Sequence, residues 1–300
     1  MRSALVSIFL LLAVIPGVSS AQDAAGSRDS TGSGGKSSIG FAGLGGARAK
    51  KERSATELYE SGLKHMQRGY YTRALEEFNR VRNYFRDDPL SVKAELAIAD
   101  VYFKKGDFEQ ARFAYEEFAT YHPRHENLDY VTWRTGQSIY KRASKFAGRD
   151  QTATRSAVNT WTGFDTRFPD SEHVDDVGKL LGRARNRLAA KELFIARFYA
   201  DRDAWGAVSD RTSGLVDRYP DAESVPDALQ LLGTSLHAWG DVEAARAVRE
   251  KLAGIPESGQ QLAKLDRVLS RPPGAPPEEE IFSRPYRIQG GQAAPTAPSR

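Results

Sequence analysis

Five prolines divide the middle of this 300-residue chain into consecutive segments. Each follows an apolar run with helical spacing, and the five positions are Pro89, Pro123, Pro169, Pro220 and Pro256. The intervals between them are 34, 46, 51 and 36 residues. Because proline cannot supply the amide that a continuing helix needs, each proline ends a structural unit. The two longer intervals indicate lengthened helices or insertions, since doubling a surface loop costs only about 0.6 kcal/mol.

The segment 93–140 shows the repeating pattern most completely. Its first apolar stripe has helical spacing and consists of Ala94, Ala97, Ile98, Val101 and Tyr102. Gly106 and Asp107 then interrupt the helix, and a second stripe follows, formed by Phe108, Ala111, Tyr115 and Phe118. The pattern therefore predicts a helical hairpin.

This hairpin resembles the tetratricopeptide repeat, a helix–turn–helix unit of about 34 residues. Ala99, Ala111 and Pro123 fall in the register where that repeat places two small residues and a proline. The recurrence predicts an all-α fold, a right-handed α-solenoid of about five tetratricopeptide-like helical hairpins with disordered N- and C-terminal tails.

The other repeats vary this unit. Repeat one runs from Ala55 to Pro89, with Gly62 and Ala74 as the small pair that lets its helices approach closely. Repeat three begins near Asn127 and contains a polar stretch, Ser144 to Thr154, that we expect to extend a helix or project as a loop, before the stripe Ala157, Trp161 and Phe164. Repeat four should open with a long helix from Val174 to about Arg202, and repeat five carries Leu229, Leu232, Gly233 and Ala245. The following segment, residues 260–269, reads as a capping helix.

The two ends differ from the repeats in composition. Residues 1–21 have the charge, the short apolar run and the small residues of an export signal, and the run of about 12 residues is shorter than the roughly 20 that span a bilayer. Residues 22–52 are rich in glycine, serine and alanine and should form a disordered linker. The repeat domain then covers 53–271, and the proline-rich residues 272–300 should form a disordered tail.

No group of residues points to catalysis. The chain has no cysteine, so disulfides and a thiol nucleophile are excluded. Its five histidines are scattered without the spacing of a metal site, and the serines lack the context of a nucleophile. We therefore expect no enzyme activity, no metal and no cofactor.

The remaining function class is binding. The net charge of +4 is small for this length, and basic and acidic residues alternate on the predicted helices, which favours solvated helix faces over a nucleic-acid surface. A stack of helical hairpins offers a concave side, lined by the first helices, that binds peptides or protein modules. The pattern is typical of an exported binding scaffold.

Several segments, read in order, resemble the BamD family, the tetratricopeptide subunit of the machine that inserts β-barrels into the bacterial outer membrane. They are residues 122–131 (HPRHENLDYV), 167–171 (RFPDS), 196–199 (ARFY) with Ala204 and Trp205, and 218–221 (RYPD). The resemblance covers about Ala55 to Leu252.

The resemblance implies a periplasmic scaffold subunit, peripheral at the outer membrane. Its partners would be the POTRA domains of the barrel core protein, unfolded outer-membrane proteins bound through their C-terminal segments, and other assembly subunits. Arg211 matches a family arginine at the core-subunit contact, and Asp129, Tyr130 and Trp205 lie in the matching segments. Family members usually carry a lipidated cysteine after the signal, and this sequence has none, so attachment to the membrane would depend on a partner.

Two other functions stay open at this stage. A periplasmic tetratricopeptide adaptor of cell-wall or Tol-type envelope assemblies would use the same kind of surface. A cell-wall hydrolase with an appended helical module would need a catalytic constellation, which the sequence does not show.

Overall fold

The computed structural model describes residues 52–274, and every regular element in that range is an α-helix. The predicted signal, most of the predicted linker and the predicted tail from residue 275 lie outside the described residues. The helices are α1 (Ala55–Gln67), α2 (Tyr71–Tyr84), α3 (Pro89–Lys105), α4 (Phe108–Tyr121), α5 (Leu128–Arg142), α6 (Thr152–Trp161), α7 (Phe164–Arg167), α8 (Val174–Ala200), α9 (Trp205–Arg218), α10 (Val225–Ala238), α11 (Val242–Ala253) and α12 (Gly259–Leu269).

The helices form the five predicted hairpins and a cap. The pairs are α1–α2, α3–α4, α5–α6, α8–α9 and α10–α11, and α12 packs on the last pair. Each second helix also contacts the first helix of the following repeat, so the hairpins stack in series. This arrangement confirms the predicted solenoid.

Local sequence signals start and stop these helices. Ser54 accepts a hydrogen bond from the amide of Glu57 at 3.2 Å, while the Glu57 carboxylate accepts one from the Ser54 amide at 2.9 Å, which is a capping box. Asp88 caps α3 ahead of its first residue, Pro89. Gly106 ends α3 with a φ of +89°, a conformation that side chains other than glycine rarely adopt.

Small residues set the distance between paired helices, as predicted. A Cβ atom added to Gly62 would lie 2.6 Å from Cε1 of Phe78, and one added to Gly233 would lie 2.8 Å from the Leu265 side chain. Gly136 meets the ring of Trp161 in the same way. Phe78, Leu265 and Trp161 are fully buried. Any side chain larger than hydrogen at these glycine positions would occupy the space that these three residues fill.

Helix α8 is about 40 Å long, roughly twice the length of the other first helices. Val177 and Ala184 in its first half belong to the core of repeat three. Ala189 and Leu193 in its second half belong to the core of repeats four and five. The extra length therefore lies at the start of the helix, as predicted, and one helix serves two cores.

Two parts of repeat three differ from the expectation. The stripe of Ala157, Trp161 and Phe164 does not lie on one helix, because the chain turns at Gly163 with a φ of +70° and α7 begins at Phe164. Residues 143–151 form a loop, and this loop does not project freely. Its phenylalanine, Phe146, packs against Phe194 of α8, with ring centroids 5.6 Å apart.

Candidate partner-binding sites

Helices α3 and α5 hold an arginine among aromatic rings. The guanidinium of Arg134 lies 4.7 Å from the ring centre of Phe103, 4.4 Å from that of Trp133 and 5.2 Å from that of Tyr130. His173 stacks on Trp133 with ring centres 4.2 Å apart. We call these five residues the Arg134 cluster. Stacked rings hold a guanidinium in one orientation without neutralising its charge.

Hydrogen bonds also orient the guanidinium of Arg134. Its Nε donates to the hydroxyl of Tyr130 at 3.1 Å, and its Nη1 donates to Oε1 of Gln137 at 2.9 Å. Within residues 52–274, Nη2 makes no hydrogen bond, and the buried indole nitrogen of Trp133 has no partner. The cluster therefore offers a positive group whose donors are not all used, beside apolar rings.

A buried carboxylate, that of Asp100, accepts a hydrogen bond from Tyr130 of the Arg134 cluster. Asp100 of α3 accepts hydrogen bonds from the hydroxyls of Tyr115 at 2.5 Å and Tyr130 at 2.8 Å. Burial raises the pKa of Asp100, and the two hydrogen bonds and the nearby Arg134 oppose that shift. Burial and the Asp100 charge raise the pKa of Tyr130 to about 12, so this hydroxyl stays protonated. Asp100, Tyr130 and Arg134 thus form a chain of donors and acceptors across two repeats.

Of the four residues expected at partner contacts, Asp129 and Tyr130 lie in the first turn of α5 and point to different neighbours. The Asp129 carboxylate accepts a hydrogen bond of 2.6 Å from the hydroxyl of Ser171, in the loop before α8. Tyr130 belongs to the Arg134 cluster. Asp129 therefore braces the turn between repeats three and four, and Tyr130 reaches the neighbouring repeat.

Trp205 and Arg211 both lie on α9 but on different sides of it. Six residues on a helix correspond to a rotation of about 600°, so the two side chains point about 120° apart. Trp205 is half-buried at the first position of the helix. Arg211 has 43% of its side chain exposed and donates from Nη1 to Oε2 of Glu192 at 3.0 Å.

Glu192 is the centre of a second charged group, the Glu192 triad. Its side chain lies on α8, is 10% exposed and also approaches Arg218, whose Nη2 is 3.7 Å from Oε1. Two half-exposed arginines on α9 are thus anchored to one nearly buried carboxylate, and the Nη2 group of Arg211 forms no hydrogen bond within the described range. The triad presents fixed positive charge at the surface of repeat four.

Asp100, Arg134 and Glu192 were not singled out from the sequence. One signal for Asp100 was available, since it is the only charged residue between Ala97 and Phe103 of an otherwise apolar helix segment. No group of three histidine, aspartate or glutamate side chains in residues 52–274 is arranged to hold a metal ion. None of the helices in that range combines the length and the apolar composition needed to cross a membrane.

Comparison with known proteins gives several matches. A family model described as YfiO, outer membrane lipoprotein, matches residues 51–252. The chain is similar to the outer membrane protein assembly factor BamD of Pasteurella multocida (strain Pm70), 29% identical over 196 residues that cover 62% of this chain and 75% of that protein. It is also similar to the BamD protein of Haemophilus influenzae (strain KW20 / Rd), 27% identical over 207 residues, or 65% and 78% of the two chains. A solved tetratricopeptide repeat protein from Parabacteroides merdae covers 72% of this chain and 99% of its own, with 11% identity and a TM-score of 0.32. The family match thus extends from α1 through nearly all of α11.

Proposed function

Because this chain belongs to the YfiO family of outer membrane lipoproteins, we propose that it is a non-enzymatic scaffold subunit of the outer-membrane protein assembly complex. It would act in the periplasm, bind the POTRA domains of the barrel core protein and receive unfolded β-barrel substrates. The relatives that carry the name outer membrane protein assembly factor support this role over an adaptor of cell-wall or Tol-type assemblies.

We further propose that residues 1–21 direct export, that residues 22–52 are a linker and that the proline-rich residues 272–300 are a C-terminal tail. The sequence contains no cysteine, so the proposal places the protein at the membrane through its partners.

The observation that carries the core-subunit contact is the hydrogen bond between Arg211 and Glu192. A free arginine side chain loses rotamer freedom on binding, and that loss costs about 2 kcal/mol. Glu192 has already ordered the side chain, while Nη2 of Arg211 has no bond in the described residues. A carboxylate on the partner would therefore meet an oriented donor.

The Arg134 cluster is the proposed substrate site. A peptide that ends in an aromatic residue carries a ring and a terminal carboxylate a few ångströms apart. The rings of Phe103 and Trp133 would pack against the aromatic ring of the peptide. The unused donor of Arg134 would bind its terminal carboxylate. The cluster lies on first helices, which line the binding side of such repeats.

The core-subunit contact is tested by a pulldown of the tagged full chain with the isolated POTRA domains. Arg211→Gln keeps a donor for Glu192 but removes the charge, and we expect it to weaken recovery. Arg246→Gln, at an exposed position of α11, is the matched control and should bind like the native chain. Equal recovery with both variants, or recovery of only cell-wall or Tol-type proteins from an envelope extract, would refute the proposal.

The substrate site is tested by fluorescence anisotropy with a labelled C-terminal peptide of an outer-membrane barrel protein. Arg134→Gln and amidation of the peptide carboxylate should each weaken binding by about tenfold, the value of one charge-assisted hydrogen bond. Arg68→Gln, at an exposed position after α1, should have no effect. If amidation changes nothing, the carboxylate is not what Arg134 recognises.

A further inference from the structure

Three exposed phenylalanines lie side by side in the second half of α8 and in the loop that packs on it. Phe194 is 45% exposed, and Phe198, one helical turn later, is 48% exposed. Phe146 of the 143–151 loop is 59% exposed and packs against Phe194, with ring centroids 5.6 Å apart. We call these three residues the α8 face. Neighbouring phenylalanine rings that still face solvent indicate a surface that something covers.

Hydrogen bonds of a buried side chain hold Phe146 in this position. Gln151 is 1% exposed, and its amide nitrogen donates to the carbonyl oxygens of Ser144 at 3.1 Å and Phe146 at 3.0 Å. The amide oxygen of Gln151 accepts a bond of 2.5 Å from the hydroxyl of Thr154. A buried amide with three hydrogen bonds fixes the backbone around it. The exposed ring of Phe146 therefore belongs to the ordered form of the loop.

Six basic residues lie around the α8 face. They are Lys145 and Arg149 of the loop, Arg183, Arg187 and Lys191, which precede Phe194 at one-turn spacing on α8, and Arg202 just after this helix. The guanidinium of Arg202 lies 3.6 Å from the ring centre of Phe198. Within residues 52–274, no ion pair holds any of the six side chains. Their charges are therefore free to meet an anionic partner.

The acidic residues of the same segments do not cancel this charge. The exposed ones are Asp150, Asp201 and Asp203. Asp150 attracts Lys191, and its carboxylate accepts hydrogen bonds from Thr152 at 2.8 Å and 3.2 Å. The nearly buried Glu192 is engaged by arginines of α9. Basic side chains therefore outnumber exposed carboxylates around the α8 face by two to one.

Exposed aromatic rings with basic residues around them match the chemistry of a bilayer surface. Apolar rings are stable at the boundary between headgroups and acyl chains, and the long stems of lysine and arginine let their charges reach the phosphates. The family that matches this chain is described as outer membrane lipoprotein, and the 300 residues contain no cysteine. A direct contact with lipid would therefore suit a protein of this family.

We propose that the α8 face binds the surface of a lipid bilayer that contains anionic phospholipid. Phe146, Phe194 and Phe198 enter the boundary between headgroups and acyl chains, and the six basic residues bind the phosphates. The inference rests on the proposed location at the outer membrane, and the contact acts beside the proposed protein partners. Because salt screens the attraction between basic side chains and an anionic surface, binding should weaken when sodium chloride is raised from about 0.05 M to about 0.5 M.

A fluorescent probe tests the contact at one position, because the native sequence has no cysteine. Ala147→Cys, beside Phe146 in the full chain, is labelled with the dye NBD, whose emission rises when it enters a bilayer. Vesicles of phosphatidylcholine and phosphatidylglycerol should raise the emission severalfold. The matched control carries the dye at Ala247→Cys, an exposed position of α11, and its emission should not change. Both labelled chains share the apolar run at residues 4–15, so lipid binding by that run cannot produce the difference.

A pair of phenylalanine substitutions tests the rings. Phe198→Gln should raise the lipid concentration needed for half of the Ala147 signal by about tenfold, because one ring no longer leaves water. Phe113→Gln is the matched control, since Phe113 of α4 is 55% exposed beside Arg112 but lies outside the α8 face. It should respond like the native chain. Vesicles of phosphatidylcholine alone should bind about tenfold more weakly than the anionic vesicles.

Three results would each overturn the proposal, with circular dichroism melting to show that every variant folds. They are an equal dye response at Ala147 and Ala247, an equal effect of Phe198→Gln and Phe113→Gln, and a response at Ala147 to POTRA domains or to raised protein concentration but not to vesicles. The last result would assign the α8 face to a protein partner or a second copy. Phe198→Gln should still recover the POTRA domains like the native chain. Loss of vesicle binding thus leaves the proposed function standing, and loss of POTRA recovery leaves the lipid contact standing.

Discussion

Arg211 of α9 donates a 3.0 Å hydrogen bond to Glu192 of α8, a carboxylate that is 10% exposed while its partner is 43% exposed. The pair links the two helices of repeat four at the level where its second arginine, Arg218, also approaches. A nearly buried carboxylate costs desolvation free energy unless donors surround it. The arginines therefore serve the fold as well as the proposed contact with the core subunit.

Replacing Glu192 by glutamine should lower the free energy of unfolding by about 1–2 kcal/mol, because two guanidiniums lose their charged acceptor. Urea denaturation followed by circular dichroism measures the change. Glu243→Gln, at an exposed position of α11, should leave the unfolding midpoint unchanged. An unchanged midpoint for both variants would mean that the bridge contributes nothing to stability.

Asp100 should make stability fall as the pH rises. Burial raises the pKa of its carboxyl above the usual value of an aspartate, so the folded state binds this proton more tightly than the unfolded state. The stabilisation is complete below the unfolded pKa and is lost as the pH passes through the folded pKa. In Asp100→Asn, which keeps an oxygen acceptor for Tyr115 and Tyr130, this decrease should be absent.

The measurement for Asp100 is the free energy of unfolding in urea at a series of pH values from 3 to 7, compared between native chain and Asp100→Asn. The stability of the variant relative to the native chain should rise with pH. Glu60→Gln, at an exposed position of α1, is the control and should follow the native curve. Parallel curves for Asp100→Asn and the native chain would contradict the raised pKa.

Gly136 of α5 and Gly178 of α8 should respond to alanine in opposite directions. A methyl group at Gly136 would overlap the fully buried ring of Trp161, at a cost of about 1–3 kcal/mol. Gly178 lies in the exposed part of α8 with nothing within 4 Å of an added Cβ atom. Gly178→Ala should therefore raise stability by about 0.5–1 kcal/mol through helix propensity. Thermal unfolding of the two variants, side by side, checks both signs.

Removing the Gln151 side chain should open the 143–151 loop. Gln151→Ala loses the bonds to Ser144, Phe146 and Thr154, so trypsin should cut after Lys145 or Arg149 faster than in the native chain. Peptide mass mapping of a short digest identifies the sites. Cleavage after Lys251 serves as an internal control and should not change. Faster cleavage at every site would indicate global unfolding in place of a local opening.

The repeat number and most helix positions were predictable from the sequence because they depend on local signals. Prolines and small residues recur along the chain, and Gly62 accepts the bulky Phe78 where the pattern placed a small residue. The break before α7 was missed, since Gly163 interrupts an apolar stripe that otherwise keeps helical spacing.

The candidate sites were less predictable because they depend on contacts between distant residues. Tyr130 was chosen through a family resemblance. Its hydrogen bond to Asp100 joins residues 30 positions apart, and it forms only because helices α3, α4 and α5 pack together. The same holds for Arg211, whose partner Glu192 looks on the sequence like any other charge on a long helix. Residue type and spacing do not determine which of many carboxylates becomes buried.

The continuity of α8 has a consequence for how such a chain can evolve. An insertion or deletion of a single residue near Ala190 would turn everything downstream by about 100° and shift it by about 1.5 Å relative to everything upstream. The Arg134 cluster before α8 and the Glu192 triad after its midpoint would then no longer keep their relative orientation. The length of helix α8 thus sets the spacing and the angle between the two halves of the stack. We expect evolution to conserve its number of residues more strictly than its composition.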